Sequence, residues 1–103
     1  MIPAASSAEI MCAQGFDTVT VDLQHGLIDY QVALQMLQAT VSSGVAPLCR
    51  IPTNEPGIVG KLLDAGSVGI ICPMVNTRED ALRLARACFY PPRADQGKAG
   101  IWR

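Results

Sequence analysis

Apolar residues recur along this chain in two alternating rhythms, a helical stripe and a short unbroken run, with the pair repeating about every 25 residues. The clearest stripe is Tyr30, Ala33, Leu34, Leu37 and Val41, spaced i, i+3, i+4, i+7, i+11; Asp29 stands where a cap is needed and Gly44 where the helix should end. Thr77-x-x-Asp80 has the form of a capping box and leads into a second stripe, Ala81, Leu84, Ala85 and Cys88. Ser6-x-x-Glu9 opens a shorter helix closed by Gly15. Asn54 caps a further one, with Pro56 in its first turn, Val59, Leu62 and Leu63 on its apolar side and Gly66 at its end.

Strand-like segments separate these helices at 18–21, 45–50 and 68–72. Pro47 lacks a ladder donor, so it is expected at a strand start or an irregularity. The run 68–72 is apolar almost throughout, the pattern of a strand buried on both faces. The predicted order α-β-α-β-α-β-α calls for a parallel sheet with right-handed crossovers, either a doubly wound sheet or part of a (β/α) barrel. Both architectures bind ligands at the carboxyl ends of their strands. Asp22 and His25 follow the first strand, Arg50 ends the second, and Pro73-Met74-Val75-Asn76 follows the third.

His25 is the only histidine of the chain, and Asp22 precedes it by three residues. A carboxylate so placed can hold an imidazole in one tautomer for proton transfer, a general-base dyad. The plainer alternative is a structural histidine beside a turn-forming aspartate. An arginine ending a buried strand suits a bidentate clamp for a carboxylate or an enolate-like oxyanion, or it pairs with a neighbouring carboxylate of the fold. The residues alone leave both pairs of readings open. Asn76 reads equally as a loop or capping residue. Met11, Met36 and Met74 read as packing, and no phosphate-binding glycine motif follows any strand.

Composition narrows the partners. With 103 residues, half of them hydrophobic, and a formal net charge of -1, the chain suits one soluble domain and gives no electrostatic reason to expect nucleic acid or an anionic membrane. No apolar stretch approaches the ~20 residues of a transmembrane helix, and Met1-Ile2-Pro3 does not resemble a signal peptide. The four cysteines, Cys12, Cys49, Cys72 and Cys88, are scattered among apolar neighbours without ligand spacing, so reduced buried thiols and a cytoplasmic location are expected.

An ordered set of short motifs goes further. Gly15-Phe16-Asp17 leading to Val21-Asp22-Leu23-Gln24-His25-Gly26, Pro47-Leu48-Cys49-Arg50-Ile51-Pro52 with Asn54-Glu55-Pro56, Leu63-Asp64-Ala65-Gly66, Pro73-Met74-Val75-Asn76-Thr77 and Tyr90-Pro91-Pro92-Arg93 together resemble the HpcH/HpaI aldolase/citrate lyase family. The resemblance implies a (β/α)8 TIM barrel and a class II aldolase, a carbon–carbon lyase that cleaves 4-hydroxy-2-oxo acids to pyruvate and an aldehyde with a divalent metal ion such as Mg, Mn or Co. By position in the motifs it implies His25 as catalytic base, Asp22 as the base's orienting partner and Arg50 as the group that binds pyruvate and its enolate oxygen. It also implies a homo-oligomer, commonly a hexamer. Many relatives have Gly-Glu-His where this chain has Leu23-Gln24-His25, a departure beside the base that leaves Asp22 and His25 in place.

The resemblance further implies metal-binding Glu and Asp on later strands, whereas the only carboxylate after the 81–88 stripe is Asp95. The metal ligands are therefore expected to be absent from this chain. A complete barrel takes about 250 residues, so residues 1–103 are expected to form a single partial domain, the N-terminal part of a barrel, with a divergent tail at 94–103 and no activity alone. Open strands would leave Val19, Val21, Ile70 and Ile71 without an opposing wall. A citrate-lyase-like or malyl-CoA-type lyase is the alternative within the superfamily. A non-catalytic α/β module in which Arg50 clamps a small carboxylate is the alternative outside it.

Overall fold

The computed structural model describes residues 2–90 and 101–102, so most of the 94–103 tail lies outside the described residues. Four helices alternate with three strands in the expected order: α1 (Ala5–Cys12), β1 (Thr18–Asp22), α2 (Tyr30–Thr40), β2 (Ala46–Arg50), α3 (Pro56–Asp64), β3 (Gly69–Ile71) and α4 (Arg78–Ala87). A short antiparallel pair, β4 (Phe89–Tyr90) with β5 (Ile101–Trp102), follows. The three long-range strands are parallel in the order β1-β2-β3, and the sheet is open.

Local chemistry explains the starts of three of the four helices among the described residues. Asp29 Oδ1 accepts the Val32 N–H at 2.9 Å, Thr77 and Asp80 form a complete capping box, and Pro56 occupies the first turn of α3, where no N–H is needed. Two expected caps differ. Ser6 lies inside α1, whose N-cap is Ala4 without a side-chain bond. The α3 cap is Glu55, which accepts the Gly57 N–H at 3.2 Å; Asn54 instead reaches α4, its Nδ2 donating to the Asp80 carbonyl at 2.9 Å.

Pro47 sits inside the central strand, yet its missing donor breaks nothing in the ladder. N–H and C=O of one residue point to the same side of a parallel strand, and the Pro47 carbonyl accepts from Val68, just ahead of β3. The proline's bare nitrogen therefore faces the side where pairing has not yet begun.

Alternation along the strands divides the sheet. Val19, Val21 and Cys49 are buried in or beside the core with Ala33, Met36 and Leu37 of α2, and Val59 and Leu62 of α3. Each of the fully buried large side chains contributes about 1.5–3 kcal/mol relative to exposure. The other face carries Thr18, Thr20 and Asp22 beside Ala46, Leu48 and Arg50. Gly69 lies under Leu48 here: a Cβ on it would stand 2.7 Å from Leu48 Cδ2, so a larger residue would make the Leu48 side chain shift.

Several burial expectations are corrected. Val19 and Val21 do have partners, since their face meets the helices, and Ile70 also packs on the core; Ile71, on the opposite face, is 42% exposed. Residues 68–72 are not buried on both faces: β3 is an edge, and Val68 is 65% exposed. In α2, Val41 is 80% exposed and Thr40 is buried instead, its hydroxyl satisfied by donating to the Leu37 carbonyl at 2.7 Å. In α4, Leu84 and Cys88 pack on the core while Ala81 and Ala85 face outward. Cys12 and Cys49 are buried, Cys72 and Cys88 half-buried, and none of the four is in a disulfide among the described residues. No helix among the described residues is long and apolar enough to cross a membrane.

Candidate active site

Strand register assembles the site. Asp22 and Arg50 are the last residues of adjacent parallel strands and are Cα partners, so their side chains emerge side by side on the same face. Arg50 Nε donates to Asp22 Oδ1 at 3.0 Å and Nη2 donates to Oδ2 at 2.5 Å, a bidentate planar pair. Neither side chain is deeply buried: Arg50 is 35% exposed and Asp22 24%. The Arg50 guanidinium, helped by the Gln24 and His25 backbone N–H groups, holds the Asp22 carboxyl well below the usual carboxylate range, against the opposing effect of burial. The same pairing raises Arg50 above its ordinary value.

The loop after β1 is tied to the same carboxylate. Gln24 N–H donates to Asp22 Oδ1 at 2.9 Å and His25 N–H at 3.3 Å, an Asx-type turn that folds the chain back over the strand end. Leu23 N–H continues the ladder to the Arg50 carbonyl at 2.8 Å. Gly26 completes the turn, since a Cβ there would collide with the Asp22 carbonyl oxygen. The His25 side chain is exposed at the rim. Asp22 thus meets His25 through its backbone, and among the described residues no hydrogen bond joins the carboxylate to the imidazole.

The third loop stands slightly apart. Asn76 and Thr77 N–H groups each donate to Asp80 Oδ2 at 3.3 Å, which makes Asn76 part of the α4 cap. These bonds, with that from the Thr77 hydroxyl side, lower the Asp80 pKa. Met74 takes a left-handed φ of 58° and is exposed. The contact missing from the sequence reading is Asn54, which ties the loop after Arg50 to the head of α4 and whose Oδ1 is buried with no partner among the described residues. Its signal in the sequence was ambiguous, because Asn54 and Glu55 are both capping residue types directly before Pro56. A cavity of about 520 Å³, lined by Ile2, Met11, Phe16 and the start of β1, lies along the free β1 edge and includes none of Asp22, His25 or Arg50.

A divalent ion does not fit the described residues. No three His, Cys, Asp or Glu side chains gather among them, and both oxygens of Asp22 are engaged by Arg50. The Asp22 pair does have a measurable signature. A depressed carboxyl contributes stability that is fully present above its ordinary pKa of about 3.9 and is lost as pH falls below it toward the folded value. Urea unfolding from pH 6 downward is expected to show stability declining below about pH 4. Asp22→Asn should flatten that decline in part, leaving the portion due to Asp80, whose depressed carboxyl has the same sign.

Parallel β/α units with an acid–arginine pair and a histidine at their strand ends suit one wall of a (β/α)8 barrel or part of a doubly wound sheet. Comparison with known proteins gives the family. The family model described as HpcH/HpaI aldolase/citrate lyase matches residues 3–101. The chain is 44% identical over 92 residues to a hydroxypyruvate/pyruvate aldolase of Rhizorhabdus wittichii, covering 89% of this chain and 37% of that protein. It is 34% identical over 103 residues to a 2-dehydro-3,6-dideoxy-6-sulfogluconate aldolase of Pseudomonas putida, covering 100% of this chain and 40% of that one. The crystal structure of an HpcH/HpaI aldolase/citrate lyase family protein from Burkholderia cenocepacia superposes with a TM-score of 0.82 at 28% identity, over 96% of this chain and 40% of that chain. The chain belongs to the HpcH/HpaI aldolase/citrate lyase family, and its fold is a partial (β/α)8 barrel that is not closed. It spans about two fifths of the length of these relatives.

Proposed function

We propose that these residues supply the base and the oxyanion-binding arginine of a pyruvate-releasing aldolase, acting on 4-hydroxy-2-oxo acids in the cytoplasm. The observation that carries this reading is the half-occupied guanidinium of Arg50. Its Nε–Nη2 edge is taken by Asp22, while among the described residues Nη1 makes no hydrogen bond, which leaves donors for a second planar anion at a strand end beside His25. The aldolase names of the relatives agree with that chemistry.

In the proposed reaction the His25 imidazole takes the proton of the 4-hydroxyl. The C3–C4 bond breaks, the aldehyde leaves, and the electron pair passes into the enolate of pyruvate, whose oxygen Arg50 stabilises. Protonation of the enolate at C3 completes pyruvate. A divalent ion of the Mg, Mn or Co type would be held by carboxylates outside this chain, and homo-oligomeric assembly belongs to the same reading.

The test is a chimaera in which this chain replaces the matching segment of the Rhizorhabdus wittichii aldolase. Pyruvate release from a 4-hydroxy-2-oxo acid, with Mg²⁺, Mn²⁺ or Co²⁺ present, is expected from the chimaera and not from the 103-residue chain alone. A chimaera that melts like its host yet releases no pyruvate would refute the reading.

A further inference from the structure

We propose that Asn54 is a positioning residue of the reaction: its amide ties the loop that leaves Arg50 to the head of α4, so that the two rim loops on the β3 side of the arginine are preset as one unit before substrate arrives. This role deepens the reading of the site as an aldolase centre and rests on it. Asn54 stands four residues after Arg50, and its Nδ2 donates to the carbonyl of Asp80, 26 residues further on, at 2.9 Å. Asp80 also holds the neighbouring loop, because its Oδ2 accepts the N–H groups of Asn76 and Thr77 at 3.3 Å each. One aspartate therefore joins both loops, by its backbone to the loop after β2 and by its side chain to the loop after β3.

The bond is more than a helix cap. Capping of α3 falls to Glu55, which accepts the Gly57 N–H, so the Asn54 amide is not needed there. Its Oδ1 is buried, which sets the amide into the fold rather than into solvent. The loop after β3 needs an outside hold, since Met74 takes a left-handed φ of 58°, a conformation that strains a residue bearing a side chain. Between β2 and β3 the ladder reaches the Ile51 N–H on the Ile71 carbonyl at 3.0 Å, and the bridge from Asn54 takes over beyond it. The loop of His25 is anchored separately, by the Gln24 and His25 N–H groups on Asp22. Asn54 therefore bears on the surroundings of the 2-oxo acid rather than on the base. Its loss should be felt in binding, because loops that are not preset must be ordered by the substrate at the expense of affinity.

Two measurements test this, one of them independent of activity. The first is amide hydrogen exchange of the 103-residue chain at neutral pH, followed by NMR. Asn54→Ala is expected to speed exchange at Asn76 and Thr77 by roughly tenfold, the worth of one ordinary hydrogen bond, while Val32 on its Asp29 cap keeps its rate. Asn54→Asp keeps the volume but puts an acceptor-only carboxylate in place of the donor, so it should act as the alanine does. Unchanged exchange at Asn76 and Thr77, or an equal rise at Val32, would overturn the proposal. The second measurement is saturation kinetics of pyruvate release in the chimaera. Both variants are expected to raise KM about tenfold and to keep kcat within roughly threefold. A fall in kcat with KM kept, or wild-type kinetics in Asn54→Asp, overturns the positioning role. A chimaera that has Asn54 intact and releases no pyruvate refutes the aldolase reading, whereas exchange decides the bridge on its own.

Discussion

Replacing His25 with alanine is expected to lower retro-aldol turnover in the chimaera by about 10²–10⁴-fold, the usual contribution of a positioned general base. Pyruvate affinity should change little, because in the proposed mechanism the imidazole meets the 4-hydroxyl proton and Arg50 the 2-oxo acid. The fold should survive the change: the His25 ring is exposed, and the bond that closes the loop is made by the backbone N–H, which alanine retains. Steady-state pyruvate release, with a thermal melt beside it, checks both halves. Wild-type turnover would remove His25 from the reaction.

Arg50→Lys should act on both binding and chemistry. The ammonium keeps the charge but offers no planar fork, so it cannot satisfy both Asp22 oxygens and still present a fixed second edge to an enolate. Loss of one preorganised oxyanion donor is worth about 10²–10³ in kcat. The expected result is a fall of that order in kcat together with a raised KM, measured as full saturation curves. Unchanged kinetics would make Arg50 a structural partner of Asp22 and nothing more.

What was legible in the sequence was mostly short-range. Asp29 and the Thr77–Asp80 box were readable because cap and N–H lie within three residues, and Pro56 because its ring excludes most other positions. Parallel topology places Asp22 and Arg50 on one rim from the sequence alone, because strands that run the same way end on the same face. The choice between ligand clamp and carboxylate pair for Arg50 was beyond reach, since it depends on a partner 28 residues away. The structure pairs Arg50 with Asp22 through one edge, and among the described residues its other edge makes no hydrogen bond.

The burial errors share a cause. Period-two alternation states that Val19 and Val21 oppose Thr18 and Thr20, but not which set meets the helices. Likewise a run such as 68–72 reads the same at the centre and at the edge of a sheet. Val41 and Thr40 show a subtler limit: a hydroxyl that can bond a carbonyl one turn back is admitted to the core in place of a valine.

The in-register pairing of the first two strands also bears on the order of events in a nascent chain. Domains form from the N-terminal end as synthesis proceeds, and everything that fixes the Arg50 guanidinium lies between residues 18 and 50. β2 pairs with β1 over five residues, and the clamp draws on no residue after Arg50. The carboxylate that builds this half of the site therefore also narrows it, because an arriving anion meets only the guanidinium edge that aspartate leaves open.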